Sequence, residues 1–272
     1  MIKRNSEHFC GIMPFDFSIS YANINSDSQK NEFESHIHNE CEIYINLSGN
    51  VSFVVENNIY PISPGSIILT RPFEYHHCVY HSNAPHRHFW ILFSCSGNED
   101  LLPLFFERGV GENNHLTLDP QETEELIDLC HKMTSAYTSQ AEKYLDFFKF
   151  LELLNHADKA IKSKSNIPQD VVFAVNYISE NLSSPISVSE IAEQSNVSIN
   201  TLERHFSQHL KCSPTVYLKK KRLANAIKLL ISGSNVSEAA EKSGFSDYSY
   251  FIATFKKEYG LSPLKYIKLR GE

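Results

Sequence analysis
The chain has 272 residues, 42% hydrophobic and 21% charged, which suits two modest soluble domains. Its formal charge of -7 argues against nucleic acid only while the chain is taken whole. Residues 1–167 carry 12 Lys+Arg against 22 Asp+Glu, net -10, whereas residues 168–272 carry 13 against 10, net +3, so any DNA-facing charge belongs to the C-terminal part. Six cysteines without a C-x-x-C pair predict free thiols in a reducing compartment. The start MIKRNSEHFC lacks a signal-peptide core, and no apolar run approaches the ~20 residues of a membrane helix. A cytoplasmic protein with no membrane partner is expected.

From about Phe33 to Phe93 the chain alternates like half-buried strands. CEIYINLSG, VSFVVENNIYPI, GSIILTRP and HFWILFS are β-branched and aromatic runs separated by Gly, Pro and Asn turns. A small antiparallel barrel or sandwich over residues 1–118 is predicted. Seven of the thirteen histidines fall between His36 and His88, a density that favours a polar-lined interior. Trp90, the only tryptophan, sits on the last of these runs, where core packing or stacking on a sugar face would use it.

After Asp119 the texture becomes helical. Leu126, Leu129, Cys130 and Met133 fall at helical spacing, as do Tyr144, Phe147, Phe148, Leu151 and Leu154. Residues 119–160 read as a helical segment, one helix a strut and the other a homodimer interface. AIKSKSNIP, polar and closed by a proline, makes 161–168 the interdomain linker.

Beyond it, residues 169–272 read as almost entirely helical, and eleven residues are written twice. VSEIAEQSNVS at 188–198 returns as VSEAAEKSGFS at 236–246, with seven positions identical. Each copy has a short helix with a packing-face Ala, a turn at Asn196 or Gly244, and a Ser (Ser198, Ser246) able to cap the next helix. Two helix-turn-helix motifs follow, about 188–209 and 236–259. The first recognition helix would bury Leu202 and Phe206 and turn Asn200, Thr201, Glu203, Arg204 and Ser207 outward. Arg204 is the base-contact candidate, since a guanidinium can grip guanine O6 and N7 together. The second would bury Phe251 and Phe255 and present Tyr248, Ser249, Tyr250, Ile252 and Ala253, with Lys256 and Lys257 placed for phosphates. Between them residues 214–231 form one long helix, with Pro214 at its start and Gly233 past its end. The run Lys219, Lys220, Lys221, Arg222 reads as a solvated helix face, with one or two phosphate contacts as the alternative.

GFSDYSYFIATFKKEYGLSPLKYIK resembles the C-terminal signature of the AraC/XylS transcription regulators. The match runs through Gly244, Phe245, Asp247, Ser249, Tyr250, Phe251, Phe255, Lys256, Lys257, Gly260, Ser262, Pro263 and Tyr266. Leu202, Arg204 and Phe206 meet the family's L-x-R-x-F, and Arg222, Leu223 and Ala226 its R-L-x-x-A. Ala253 and Ile267 stand where the pattern has Arg, which implies fewer direct base contacts in the second motif.

His36, His38 and Glu42, then Gly49, follow the first cupin motif, and Gly65 with His76 has the spacing of the second; Tyr80 replaces its usual Asn. That resemblance implies one interior cluster of His36, His38, Glu42 and His76. Three readings stay open for it: a divalent metal site, an effector pocket without metal, and satisfied structural histidines. The expected protein is α+β and two-domain. An N-terminal cupin-like antiparallel β-barrel is followed by dimerisation helices and a C-terminal all-α double helix-turn-helix domain. It would be a non-enzymatic regulator, an activator touching RNA polymerase, that binds a DNA operator and answers a small-molecule effector such as a carbohydrate. No cofactor is required, and His36, His38, Glu42, His76 and Trp90 would form the effector site. The alternatives are a metal-dependent cupin enzyme fused to a DNA-binding domain, and a constitutive regulator with a purely structural barrel.

Overall fold
The computed structural model describes residues 5–8, 16–24, 37–82, 84–94, 99, 102–135, 137, 139–159 and 167–270. The chain divides into two compact units, one within Met1–Glu34 and His38–Ser165, the other taking Ser35–Ile37 and Asn166–Glu272. Among the described residues, no helix is long and apolar enough to cross a membrane.

The first unit is built on strands. They are β1 (Asn5–His8), β2 (Asp16–Ile24), β3 (Cys41–Ser48), β4 (Val51–Val55), β5 (Asn58–Ile62), β6 (Ile67–Thr70), β7 (His76–Tyr80), β8 (His86–Ser94), β9 (His115–Thr117) and β10 (Asp158–Lys159). A short α1 (Pro103–Phe106) precedes β9, and α2 (Pro120–Met133) and α3 (Gln140–Asn155) come between β9 and β10. Seven strands pair in the order β1-β2-β8-β3-β6-β9-β10, and three in the order β5-β4-β7. Every pairing is antiparallel. The described strands thus form two sheets rather than one closed ring of hydrogen bonds.

Alternation assigns each sheet face a different task. On the larger sheet Cys41, Ile43, Ile45, Ile67, Leu69, Phe89, Ile91 and Phe93 share one buried core with residues of α2 and α3. The opposite face carries Tyr44 and Ile68, which join Val51, Phe53, Val55 and Ile62 of the smaller sheet in a second core. The two sheets therefore face each other across an interior, and helices cover the outside of the larger one. Asp119 caps α2 by accepting from Glu122 N–H, with Pro120 preset at its first position, and Ser139 caps α3 through Glu142 N–H.

Both helices spend their apolar stripes on the sheet. Leu126, Cys130 and Met133 of α2 are buried, as are Tyr144, Phe147, Phe150 and Leu154 of α3. Phe17 stacks on Phe147 with ring centroids 4.2 Å apart. Phe150 takes the buried position in the α3 stripe that spacing suggested for Phe148, which is 37% exposed beside a 62% exposed Leu145.

The second unit holds α4 (Gln169–Glu180), α5 (Val188–Gln194), α6 (Ile199–Leu210), α7 (Pro214–Ile231), α8 (Val236–Lys242), α9 (Tyr248–Tyr259) and α10 (Pro263–Arg270). Of the expected linker, residues 161–166 lie outside the described residues; Pro168 stands at the N-cap of α4. The two written-twice segments fold alike. Asn196 N–H and Val197 N–H donate to Glu193 O and Ala192 O, and Gly244 N–H and Phe245 N–H donate to Glu241 O and Ala240 O. These are the paired bonds of a left-handed helix stop, with φ of 56° at Asn196 and 81° at Gly244. The second copy differs from expectation at its next step. Ser198 caps α6, but Asp247 rather than Ser246 caps α9, accepting from Tyr250 N–H, so that helix begins one residue later.

The basic run on α7 is also corrected. Lys221 is 4% exposed, Lys220 Nζ lies 2.9 Å from Glu258 Oε1, and Arg222 donates to Leu182 O and Ser184 O. A helix with neighbours on several sides has no freely solvated face there. Gly244 depends on this arrangement, because a Cβ would collide with Leu182 O and Arg222.

Candidate effector cluster and nucleic-acid interface
Three of the four residues expected to converge in the first unit do so; His36 lies outside the described residues. His38 precedes β3, Glu42 is on β3, and His76 opens β7 in the other sheet. The imidazole Nε2 of His38 is 3.1 Å from Glu42 Oε2, and that of His76 is 3.3 Å from the same oxygen. Each ring is turned by a backbone carbonyl: His38 Nδ1–H donates to Glu40 O and His76 Nδ1–H to Glu74 O, at 3.1 and 2.8 Å. One carboxylate oxygen thus ties the two sheets together.

The charge state follows from these contacts. Burial alone would lower the His38 pKa, but the carboxylates of Glu40 and Glu42 outweigh it and raise the value to about 9. Protonated His38 donates Nε2–H to Glu42. His76 turns its Nε2 toward the same oxygen, so both rings converge on one carboxylate.

The three side chains offer one ligand atom each, all within 4.8 Å of one another. Two imidazole nitrogens and a carboxylate oxygen form a donor set suited to zinc, nickel or iron(II), and the carbonyls holding both Nδ1–H groups are the usual orienting shell. The residues present therefore fit a divalent ion.

Strand register adds a wall that spacing alone did not single out. Glu42, Tyr44 and Asn46 lie opposite Leu92, Trp90 and His88 on β8, so they share the interior face. Trp90 falls on this face and stacks on His88 with centroids 6.0 Å apart. Tyr44 Oη donates to His86 Nε2 at 2.5 Å, while His86 Nδ1–H donates to Ser48 O at 2.6 Å. Gly49 makes room for that ring, since a Cβ there would come 2.7 Å from His86 Nδ1. Asn46 is fully buried, and neither its Nδ2 nor its Oδ1 has a hydrogen-bond partner among the described residues. The sequence signal for this wall was the alternation of histidines in HRHFW; the register that aims them was not readable.

In the second unit α6 buries Leu202, Phe206 and Leu210 and leaves Asn200, Glu203, Arg204 and Ser207 exposed, with Thr201 half-buried. Helix α9 buries Phe251 and Phe255. Tyr248, Ser249, Tyr250, Ala253, Lys256 and Lys257 are exposed, and Ile252 is half-buried. Two helices, each following a helix-turn motif, therefore present polar, basic and aromatic side chains to solvent.

Residues 23–145 match the family model of an AraC-like ligand binding domain, and residues 191–269 match that of a helix-turn-helix domain. The chain is 25% identical over 244 residues to the HTH-type transcriptional activator RhaS of Enterobacter sp. (strain 638), spanning 85% of this chain and 86% of that one. Identity to the Lactose operon transcription activator of Staphylococcus xylosus is 25% over 234 residues, 82% of each chain. The solved C-terminal domain of AraT, a response regulator from Geobacillus stearothermophilus, is 35% identical, over 39% of this chain and 89% of that one, with a TM-score of 0.38. Fold and site define an effector-controlled, DNA-binding regulator. The chain belongs to the AraC family of transcription regulators, with its ligand-binding domain ahead of the helix-turn-helix domain.

Proposed function
We propose that this regulator is an activator whose effector is a small polyhydroxylated molecule bound between the two sheets. The observation that carries the reading is the buried His38–Glu42–His76 cluster, which bridges both sheets beside Trp90 and Asn46. A carboxylate and two imidazoles can donate and accept around a sugar's hydroxyls, and an indole face suits its apolar side. Arg204 reads a base in this account, Asn200, Thr201, Glu203 and Ser207 flank it, and Tyr248, Ser249, Tyr250 and Ile252 form the second reading face. Lys256 and Lys257 neutralise phosphates. The regulator works as a homodimer in the cytoplasm and recruits RNA polymerase; Leu145 and Phe148 are exposed apolar side chains on α3 available to a second copy. Naming of relatives as activators supports the direction of control.

The test is a titration of the full chain with mono- and disaccharides, lactose among them, read by thermal midpoint and by affinity for a selected DNA site. A saccharide should raise the midpoint and change DNA affinity in wild type. Glu42→Gln with His76→Ala should lose both responses and keep basal DNA binding. Retention of the response in that variant would remove the cluster from effector binding.

A second reading is favoured by one specific feature, the two carbonyl-oriented imidazoles converging on one carboxylate oxygen. There a divalent ion held by His38, Glu42 and His76 would supply a Lewis-acidic anchor for the effector. Elemental analysis of protein purified without a polyhistidine tag should then find close to one ion per chain, lost in Glu42→Ala.

A further inference from the structure
A half-buried pair behind the first recognition helix bears directly on the residue assigned to base reading. His205 follows Arg204 on α6 and is turned the other way, toward α4. Its Nδ1–H donates to Asp170 Oδ2 at 2.7 Å, with the carboxylate side chain only 10% exposed and the imidazole 21%. Donation from Nδ1 places a ring proton on that nitrogen, and Nε2, facing a guanidinium that can only donate, is the acceptor. Arg204 Nη2 lies 3.3 Å from this nitrogen and donates to it. Asp170, His205 and Arg204 thus form a chain from carboxylate to imidazole to guanidinium, running from one helix to the exposed face of another.

We infer that Asp170 and His205 are positioning residues that pre-set the guanidinium of Arg204 for base recognition. The inference rests on the reading of Arg204 as the base-contacting side chain. An exposed arginine has many rotamers, and a bidentate grip on guanine needs one plane held at the groove. The His205 acceptor occupies a single N–H of Nη2. The second Nη2–H and both Nη1–H groups remain for O6 and N7 of a base. Since the imidazole is anchored to α4, the plane it offers is set by helix packing rather than by the arginine's own torsions. Neither residue has to touch DNA for this to work.

The experiment is a thermodynamic cycle on the full chain, using its selected DNA site and the same site changed at the base pair read by Arg204. His205→Ala and Asp170→Asn should each reduce discrimination between the two sites by about 3- to 10-fold while the salt slope stays unchanged. His205→Gln, whose amide can still offer an acceptor near Nε2, should keep part of that discrimination. In an Arg204→Ala background neither substitution should have any further effect on it, and circular dichroism should show helical content equal to wild type throughout. Equal losses with and without Arg204, or full discrimination in His205→Ala, would overturn the positioning role. Unaltered preference in Arg204→Ala alone would remove the base-reading assignment, and the positioning role with it.

Discussion

Buried imidazoles in the sensor unit are pulled in opposite directions by their neighbours. His38 is held protonated by two carboxylates, whereas burial lowers the His86 pKa from 6.5 to about 4 against the raising effect of its bond to Ser48 O. Between pH 6.5 and 4 the unfolded chain binds a proton at His86 that the folded one refuses. Stability contributed by the neutral ring is therefore complete above pH 6.5 and is lost as pH falls toward 4, by at most about 3 kcal/mol. Trp90, the sole tryptophan, lies in this unit and reports its unfolding separately. Urea midpoints followed by its fluorescence should drop from pH 7 to pH 5 in wild type, and less steeply in His86→Gln. Parallel curves would assign the drop to other groups. Among these residues His38, Glu42 and His76 were legible through the resemblance of their spacing to the cupin motifs, although His38 precedes β3 rather than lying on it. The Tyr44–His86–His88 wall and the Asp170–His205 pair were not, since each depends on which strands or helices become neighbours.

At the level of elements, the two helix-turn units show what a repeat can and cannot specify. Asn196 and Gly244 were readable as turns because few residue types accept positive φ at a helix stop. The start of α9 was not, since two capping residues, Ser246 and Asp247, stand side by side and it is Asp247 that accepts from Tyr250 N–H. The run from Lys219 to Arg222 misled for a related reason: charge is visible in a sequence, whereas the neighbours of a central helix are not. Gly244 offers a sharp comparison. Gly244→Ala combines positive φ with a Cβ driven into Leu182 O and should cost at least about 2 kcal/mol. Gly260→Ala, with φ of 73° and nothing within 4 Å of the added carbon, should cost nearer 1 kcal/mol. Thermal melting followed at 222 nm checks this. Equal costs would mean that the close approach of Leu182 relaxes freely.

Taken as a whole molecule, the chain divides its labour by charge and by secondary structure. Acidic residues and buried polar groups concentrate in the sheet unit, while net positive charge and exposed recognition helices belong to the helical unit. Helix α7 spans 18 residues, about 27 Å, and lies in sequence between the two recognition helices. An arm of that length suits two reading heads about one DNA turn, roughly 34 Å, apart. Selection of bound sequences from a random DNA library by the full chain tests this most directly. For each chain the account predicts two blocks of base preference about 10 base pairs apart. Arg204→Ala should erase one position in one block, and Lys256→Ala should weaken every sequence alike. A single block, or identical preferences in wild type and Arg204→Ala, would contradict it.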